Sequence, residues 1–206
     1  MEYKNLKEDK YEDLIIIDNL FSNRTYQDIL DFMENNINFF PMQIDTNQFI
    51  RKSIHNLPFF VNIHNQLIEL ASYYFKEKVK PSYCFLSMYK QNGICPLHID
   101  RDQCRYTIDY LISSTQKDPW PIHIGKQISN FERKEYIEKN IGHPESEDDI
   151  NNIISKESFT TVNLNPNDAV LYSGTHQWHY RSDRLQGEAN LVFFHFVPED
   201  FNGQLG

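Results

Sequence analysis

The chain has 206 residues, 40% hydrophobic and 24% charged, with a formal net charge of −9. That length and composition suit one soluble globular domain with a sizeable core. The acidic balance excludes a surface built to wrap nucleic acid, which needs clustered Lys and Arg, and 15 Phe with 12 Tyr against 7 Gly favour a β-rich core.

The cysteines, Cys84, Cys95 and Cys104, show no C-x-x-C spacing. A disulfide framework or a Cys-rich zinc site is therefore not expected, and a reducing compartment is. The opening residues lack the apolar stretch of a leader, and no apolar run approaches the ~20 residues of a membrane span. A soluble, cytoplasmic protein without a membrane partner is expected.

Residues 1–13 are polar and expected to be loosely held. LIIID at 14–18 is a short β-branched run and reads as a strand. Ser22 or Asn23 is placed to cap a helix through TYQDILDFMENNI, where Ile29, Phe32, Met33 and Ile37 recur at roughly helical spacing. A looser stretch runs to Pro58. Residues 59–75 then give one long helical pattern, and His55 and His64 read as solvated or satisfied histidines. From residue 82 the pattern changes to short strands, at 83–89, 97–100, 105–113, 120–124, 159–164, 169–173, 176–181 and 190–197. Turn chemistry at QNG, NPND and QGE separates several of them. Many short strands behind helices predict a mainly β sandwich or barrel with flanking helices. The chain reads as one domain over 1–206, with a largely helical flank at 1–80 and a β core at 81–200. A polar, acidic insertion at about 129–158 has helical potential and reads equally as a lid, a partner surface or a mobile loop.

The chemistry-bearing stretch is PSYCFLSMYKQNGICPLHID, residues 81–100. A site for Fe(II) takes two imidazoles and a carboxylate on one side of the ion and leaves the other side open. Residues i and i+2 of a strand point the same way, so an extended 98–100 segment aims His98 and Asp100 at one ion while Ile99 points away. Composition alone yields roughly one H-x-[D/E] by chance. The other such triplet here, His143-Pro144-Glu145, lies in the insertion with no strand around it and is set aside. The third ligand comes from HQWH. His179, deeper in its strand, is preferred over His176; the pair lies three apart and so faces opposite sides. His195 reads as a core residue or one behind the ligands, His123 as a cavity-lining residue, and Trp120 and Trp178 as borders of a substrate mouth.

The ordered set Tyr89-x-x-x-Gly93-x-x-x-x-His98-x-Asp100, a Tyr110-Leu111 strand, NDAVLYSG at 167–174 and His179-Tyr180-Arg181 resembles the Fe(II)/2-oxoglutarate-dependent dioxygenases. The resemblance covers about residues 82–199 and is nearest to their prolyl-hydroxylase-like branch. It implies a double-stranded β-helix, or jelly-roll, core. The implied cofactors are Fe(II), 2-oxoglutarate and O2, with ascorbate as the reductant. The implied reaction hydroxylates an amino acid, a peptidyl residue or a small metabolite and releases succinate and CO2. Nucleobase demethylation fits the acidic charge poorly, and Asp100 argues against a halogenating variant, which lacks this carboxylate. Many relatives carry an Arg or Lys about ten residues after the distal histidine to hold the far carboxylate of 2-oxoglutarate. This chain has Glu188-Ala189-Asn190 there. Arg181, on the face of His179, is the expected substitute, with Arg105 and Arg184 in reserve, and Tyr89 and Tyr110 match tyrosines that contact the co-substrate. Two other readings stand beside this one: a non-catalytic jelly-roll module that keeps the fold or the metal, and a zinc hydrolase using the same ligands.

Overall fold

Side-chain parity along the strands sets the layers. In β5 (Val79–Tyr89), β7 (Tyr106–Ser114) and β12 (Ala189–Pro198), the even-numbered Cys84, Leu86, Ile108, Ile112, Val192 and Phe194 join the core beneath the helices. The odd-numbered Tyr83, Phe85, Tyr89, Asp109, Phe193 and His195 line a cavity on the other face. A sheet covered on both sides is largely apolar on both, which is why these strands read as near-continuous hydrophobic runs. The computed structural model describes residues 7–10 by backbone alone, and residues 14–47, 49–181 and 183–206.

Two antiparallel sheets face one another. The larger has the order β1-β2-β10-β7-β12-β5-β4-β3, the smaller β6-β11-β8-β9. The remaining strands are β1 (Lys7–Lys10), β2 (Ile15–Asp18), β3 (Gln43–Asp45), β4 (Arg51–His55), β6 (Cys95–His98), β8 (Ile122–Gln127), β9 (Phe159–Val162), β10 (Ala169–Tyr172) and β11 (Gln177–Arg181). Between the sheets, one end is closed by Leu111, Trp120, Ile122, Leu164, Leu185 and Leu191. Helices α1 (Asn23–Asn35), α2 (Pro58–Gln66) and α3 (Ile68–Phe75) supply residues to the core on the outer face of the large sheet. Ser22 caps α1 by accepting from the Thr25 N–H, as its hydroxyl suits.

The N-terminal part carries more strand than the expected helical flank: the expected strand at 14–18 is β2, and β3 and β4 also add to the large sheet. β4 was hidden by its chemistry: Arg51, Ser53 and His55 point into the cavity and Ile54 into the core, so its short RKSIH run reads as a loop. The expected helix over 59–75 is two helices that meet at Leu67. Of the residues expected to be loose, 7–10 form β1, and 1–6 and 11–13 lie outside the described residues. The insertion folds as α4 (Asn130–Glu138) and α5 (Glu147–Lys156). No helix among the described residues is long and apolar enough to cross a membrane.

Candidate metal centre and its cavity

His98 ends β6 and pairs directly across the ladder with His179 of β11. Asp100 lies just past the strand, where its N–H donates to the Gly174 carbonyl (2.8 Å) and the Ile99 N–H donates to Gly142 (2.9 Å). Those two bonds keep the segment extended. Ile99 turns away into a cluster with Leu97, Ile128, Ile153 and Trp178, which leaves His98 and Asp100 facing inward together. A Cβ added at Gly174 would lie 2.3 Å from Asp100 Oδ2 and 2.5 Å from the Cys104 carbonyl. Only glycine admits that approach, which accounts for the glycine of the YSG turn.

Three donor groups converge. His98 Nε2 lies 3.5 Å from Asp100 Oδ1, and His179 Nε2 lies 3.8 Å from Asp100 Oδ2. Ligands at right angles around an ion with bonds of about 2.1 Å sit roughly 3 Å apart, so small adjustments bring all three onto one cation. Each imidazole is oriented from behind. His98 Nδ1 lies 2.7 Å from the Pro96 carbonyl, and His179 Nδ1 lies 2.9 Å from the Gln177 carbonyl. A carbonyl only accepts, so both Nδ1 atoms carry a proton and both Nε2 atoms face the carboxylate. Burial pushes the Asp100 carboxyl up, but His179 and His98 together outweigh it and hold it below the usual carboxylate range. Burial pushes His179 down to about 3 and keeps it neutral. The donor set is therefore one carboxylate and two imidazoles, a combination that suits a divalent transition metal.

The three residues open on a cavity of about 410 Å³ between the sheets. Phe193 and Phe85, paired across β12 and β5, stack with centroids 6.1 Å apart, and His55, Tyr83 and His195 continue the same wall. Nearer the closed end, Arg181 Nη2 donates to Asp109 Oδ2 (2.9 Å) and Nη1 to the Trp120 carbonyl (2.5 Å). Asp109 is 0% exposed and Arg181 4%. Beside this pair, Arg51 Nη1 donates to the Tyr89 hydroxyl (3.0 Å) and the Ser87 hydroxyl (3.3 Å). Its guanidinium lies over the Phe49 ring, 4.0 Å from the centroid.

No protein-family model and no curated protein sequence matches the chain. Solved structures do. The non-heme alpha-ketoglutarate-dependent carbocyclase SnoK of nogalamycin biosynthesis superposes over 94% of this chain and 83% of its own, at 8% identity and a TM-score of 0.69. HygX from Streptomyces hygroscopicus, solved with nickel, 2-oxoglutarate and hygromycin B, matches over 91% and 84%, at 13% identity and 0.60. A Pseudomonas putida prolyl-4-hydroxylase matches over 91% and 93%, at 9% identity and 0.61. The chain has the double-stranded β-helix fold of the Fe(II)/2-oxoglutarate-dependent oxygenases.

Within the double-stranded β-helix, the expected site residues divide. His98, Asp100 and His179 meet. His176 is held elsewhere, between Asn130, Thr175 and Arg105. Tyr89 lines the cavity, as does Arg181. Tyr110 does not: its ring packs edge-on against Phe21 in the core beneath the helices, and its hydroxyl donates to Asn167 Oδ1. Tyr110 shares its face with Ile108 and Ile112, and that face is not the β-helix interior. Asp109, of opposite parity, points inward in its place. Arg105 bonds His176 and Thr175 outside the cavity lining, and Arg184 is exposed near the Asn92 carbonyl. His123 stacks on Tyr180 on the outer face of the small sheet. Trp178 is buried against Tyr136 of the insertion, and Trp120 packs against Tyr89 at the closed end, so neither borders a mouth. His143, set aside earlier as part of a chance triplet, stacks on His98 with centroids 5.2 Å apart and lines the cavity. Arg51 was missed altogether; the one sequence signal for it is a basic residue opening a short run in which alternate residues are polar.

Proposed function

We propose that the protein is an Fe(II)- and 2-oxoglutarate-dependent oxygenase that hydroxylates an amino acid, a peptidyl residue or a small metabolite. The observation that carries this reading is the convergence of the two Nε2 atoms and the Asp100 carboxylate on the wall of a cavity inside the β-helix. A ferrous ion bound there supplies oxidation of a C–H bond by O2, with 2-oxoglutarate leaving as succinate and CO2. The protein's own part is positional. His98 and His179, each tied through Nδ1 to a backbone carbonyl, present preset lone pairs, and Asp100 contributes the charge that neutralises half of a divalent cation. All three ligands come from one side, which leaves facing positions for co-substrate and O2. The Phe85, Phe193 and Tyr83 wall keeps water away from that side and gives an organic substrate an apolar surface.

The test is succinate release from 2-oxoglutarate by purified protein with Fe(II), ascorbate and O2, in the presence of pooled amino acids, peptides and metabolites. Release by the wild type and none by His98→Ala or Asp100→Ala is the expected result. Equal release by both variants, or none by the wild type with any pool, overturns the assignment.

A further inference from the structure

The geometry points to Arg51, and not Arg181, as the cation that receives the far carboxylate of the 2-oxo acid co-substrate; this rests on the function proposed above. Two guanidiniums reach the deep end of the cavity, and their surroundings differ. Arg181 is matched by Asp109, and its second amino group is taken by the Trp120 carbonyl. Both members of that pair are buried, so the charge of one is cancelled by the other in a medium that screens little. Withdrawing Arg181 to serve a ligand would strand the Asp109 carboxylate without compensation, at a large cost.

Arg51 has hydrogen bonds to two hydroxyls and, among the described residues, no ion pair. Although its other cross-strand neighbour, Asp45 of β3, also lines the cavity, Arg51 is not paired with it. Phe49 and Phe85 flank its guanidinium on aromatic faces, which holds the plane without using its donors. The hydroxyls of Tyr89 and Ser87 stand beside it, and each can turn to donate. A guanidinium with two hydroxyls is the chemistry that holds a buried carboxylate.

The spacing agrees. Cys95 and Arg181 form the rung next but one to the His98–His179 rung, and the Cys95 thiol lies within reach of Tyr89, the direct cross-strand partner of Arg51. Two residues along a strand span about 7 Å, so that rung lies about a five-carbon dicarboxylate's length from the metal ligands, and Arg51 is linked to it through the Tyr89 hydroxyl. The absent base near residue 189 is thereby explained: the positive charge enters from β4, on the far side of β5 from β12.

The experiment is ligand binding without turnover. Protein loaded with Co(II) under exclusion of O2 is titrated with 2-oxoglutarate and with 2-oxopentanoate, which keeps the 2-oxo acid and replaces the far carboxylate with a methyl group. The wild type is expected to prefer 2-oxoglutarate by about tenfold to a hundredfold. Arg51→Gln should bring the two affinities within about threefold while leaving that for 2-oxopentanoate unchanged, which also reports that the metal end is intact. Arg51→Lys should recover part of the preference. The double variant Asp109→Leu with Arg181→Met, which removes the internal pair without stranding either charge, should keep it. A preference that survives Arg51→Gln, or one that vanishes in the double variant, overturns the assignment to Arg51. Binding of neither acid by the metal-loaded wild type overturns the proposed function itself.

Discussion

At the scale of single residues, the site depends on a missing side chain as much as on those present. Gly174 lets the Asp100 carboxylate lie against the turn after β10, and its carbonyl holds the Asp100 N–H. Gly174→Ala places a methyl group where Asp100 Oδ2 and the Cys104 carbonyl now sit. The backbone atom cannot swing away as a flexible side chain would, so the carboxylate is displaced. The expected outcome is a loss of metal affinity of about tenfold or more, read by competition with a chelator, with a melting temperature only modestly lowered. Unchanged affinity would mean that Asp100 does not ligate from this position. The pair of histidines shows the same economy: one backbone carbonyl behind each ring fixes both its tautomer and its direction.

At the scale of elements, the insertion is part of the site's support. Ile153 of α5 and Ile128 pack on Ile99 and Trp178, and Ile99 is the residue between two proposed ligands. The Gly142 carbonyl accepts from the Ile99 N–H. Truncation by Ile153→Ala removes buried contact worth about 2–5 kcal/mol. Hydrogen exchange should then quicken in α4 and α5 and at Ile99, while β5 and β12 stay protected; uniform quickening across all strands would show that the insertion does not dock as a separate layer.

Legibility in the sequence followed the same lines. The strands from 83 onward were readable because β-branched and aromatic runs end at turn residues, and α1 because a Ser cap precedes a helical stripe. The proposed ligands were readable because H-x-D sits between strands. Tyr110 was misplaced because β7 is apolar on both faces, and alternation then says which residues share a face but not which face is interior. Arg51 and β4 were invisible because a strand lining a polar cavity carries its polar side chains inward. His143 was discounted because stacking on His98 comes from the path of the insertion, not from any local pattern.

At the scale of the whole molecule, the core beneath the helices contains one group that makes stability depend on pH. His64 of α2 packs against Phe196, with centroids 4.5 Å apart, and its Nε2 has no partner. Burial pushes it down to about 3. The unfolded chain takes up a proton below about pH 6.5 where the native state does not, so the unfolded state binds more protons and stability falls as pH drops. The window runs from about 6.5 down to about 3, with a slope of at most roughly 1.4 kcal/mol per pH unit from this group. In the presence of EDTA, the melting temperature of His64→Leu should fall less between pH 7.5 and 5 than that of the wild type. Parallel declines would assign the acid sensitivity to other groups.

That His98, Asp100 and His179 hold one divalent metal is the reading on which the proposed function stands. It is tested most directly by titrating Co(II) into the wild type and into alanine variants of His98, Asp100, His179 and His176, each first shown to be folded by circular dichroism. One equivalent should bind to the wild type and to His176→Ala, with tight binding lost in the other three. Tight binding that persists in His179→Ala, or that disappears only in His176→Ala, would contradict it.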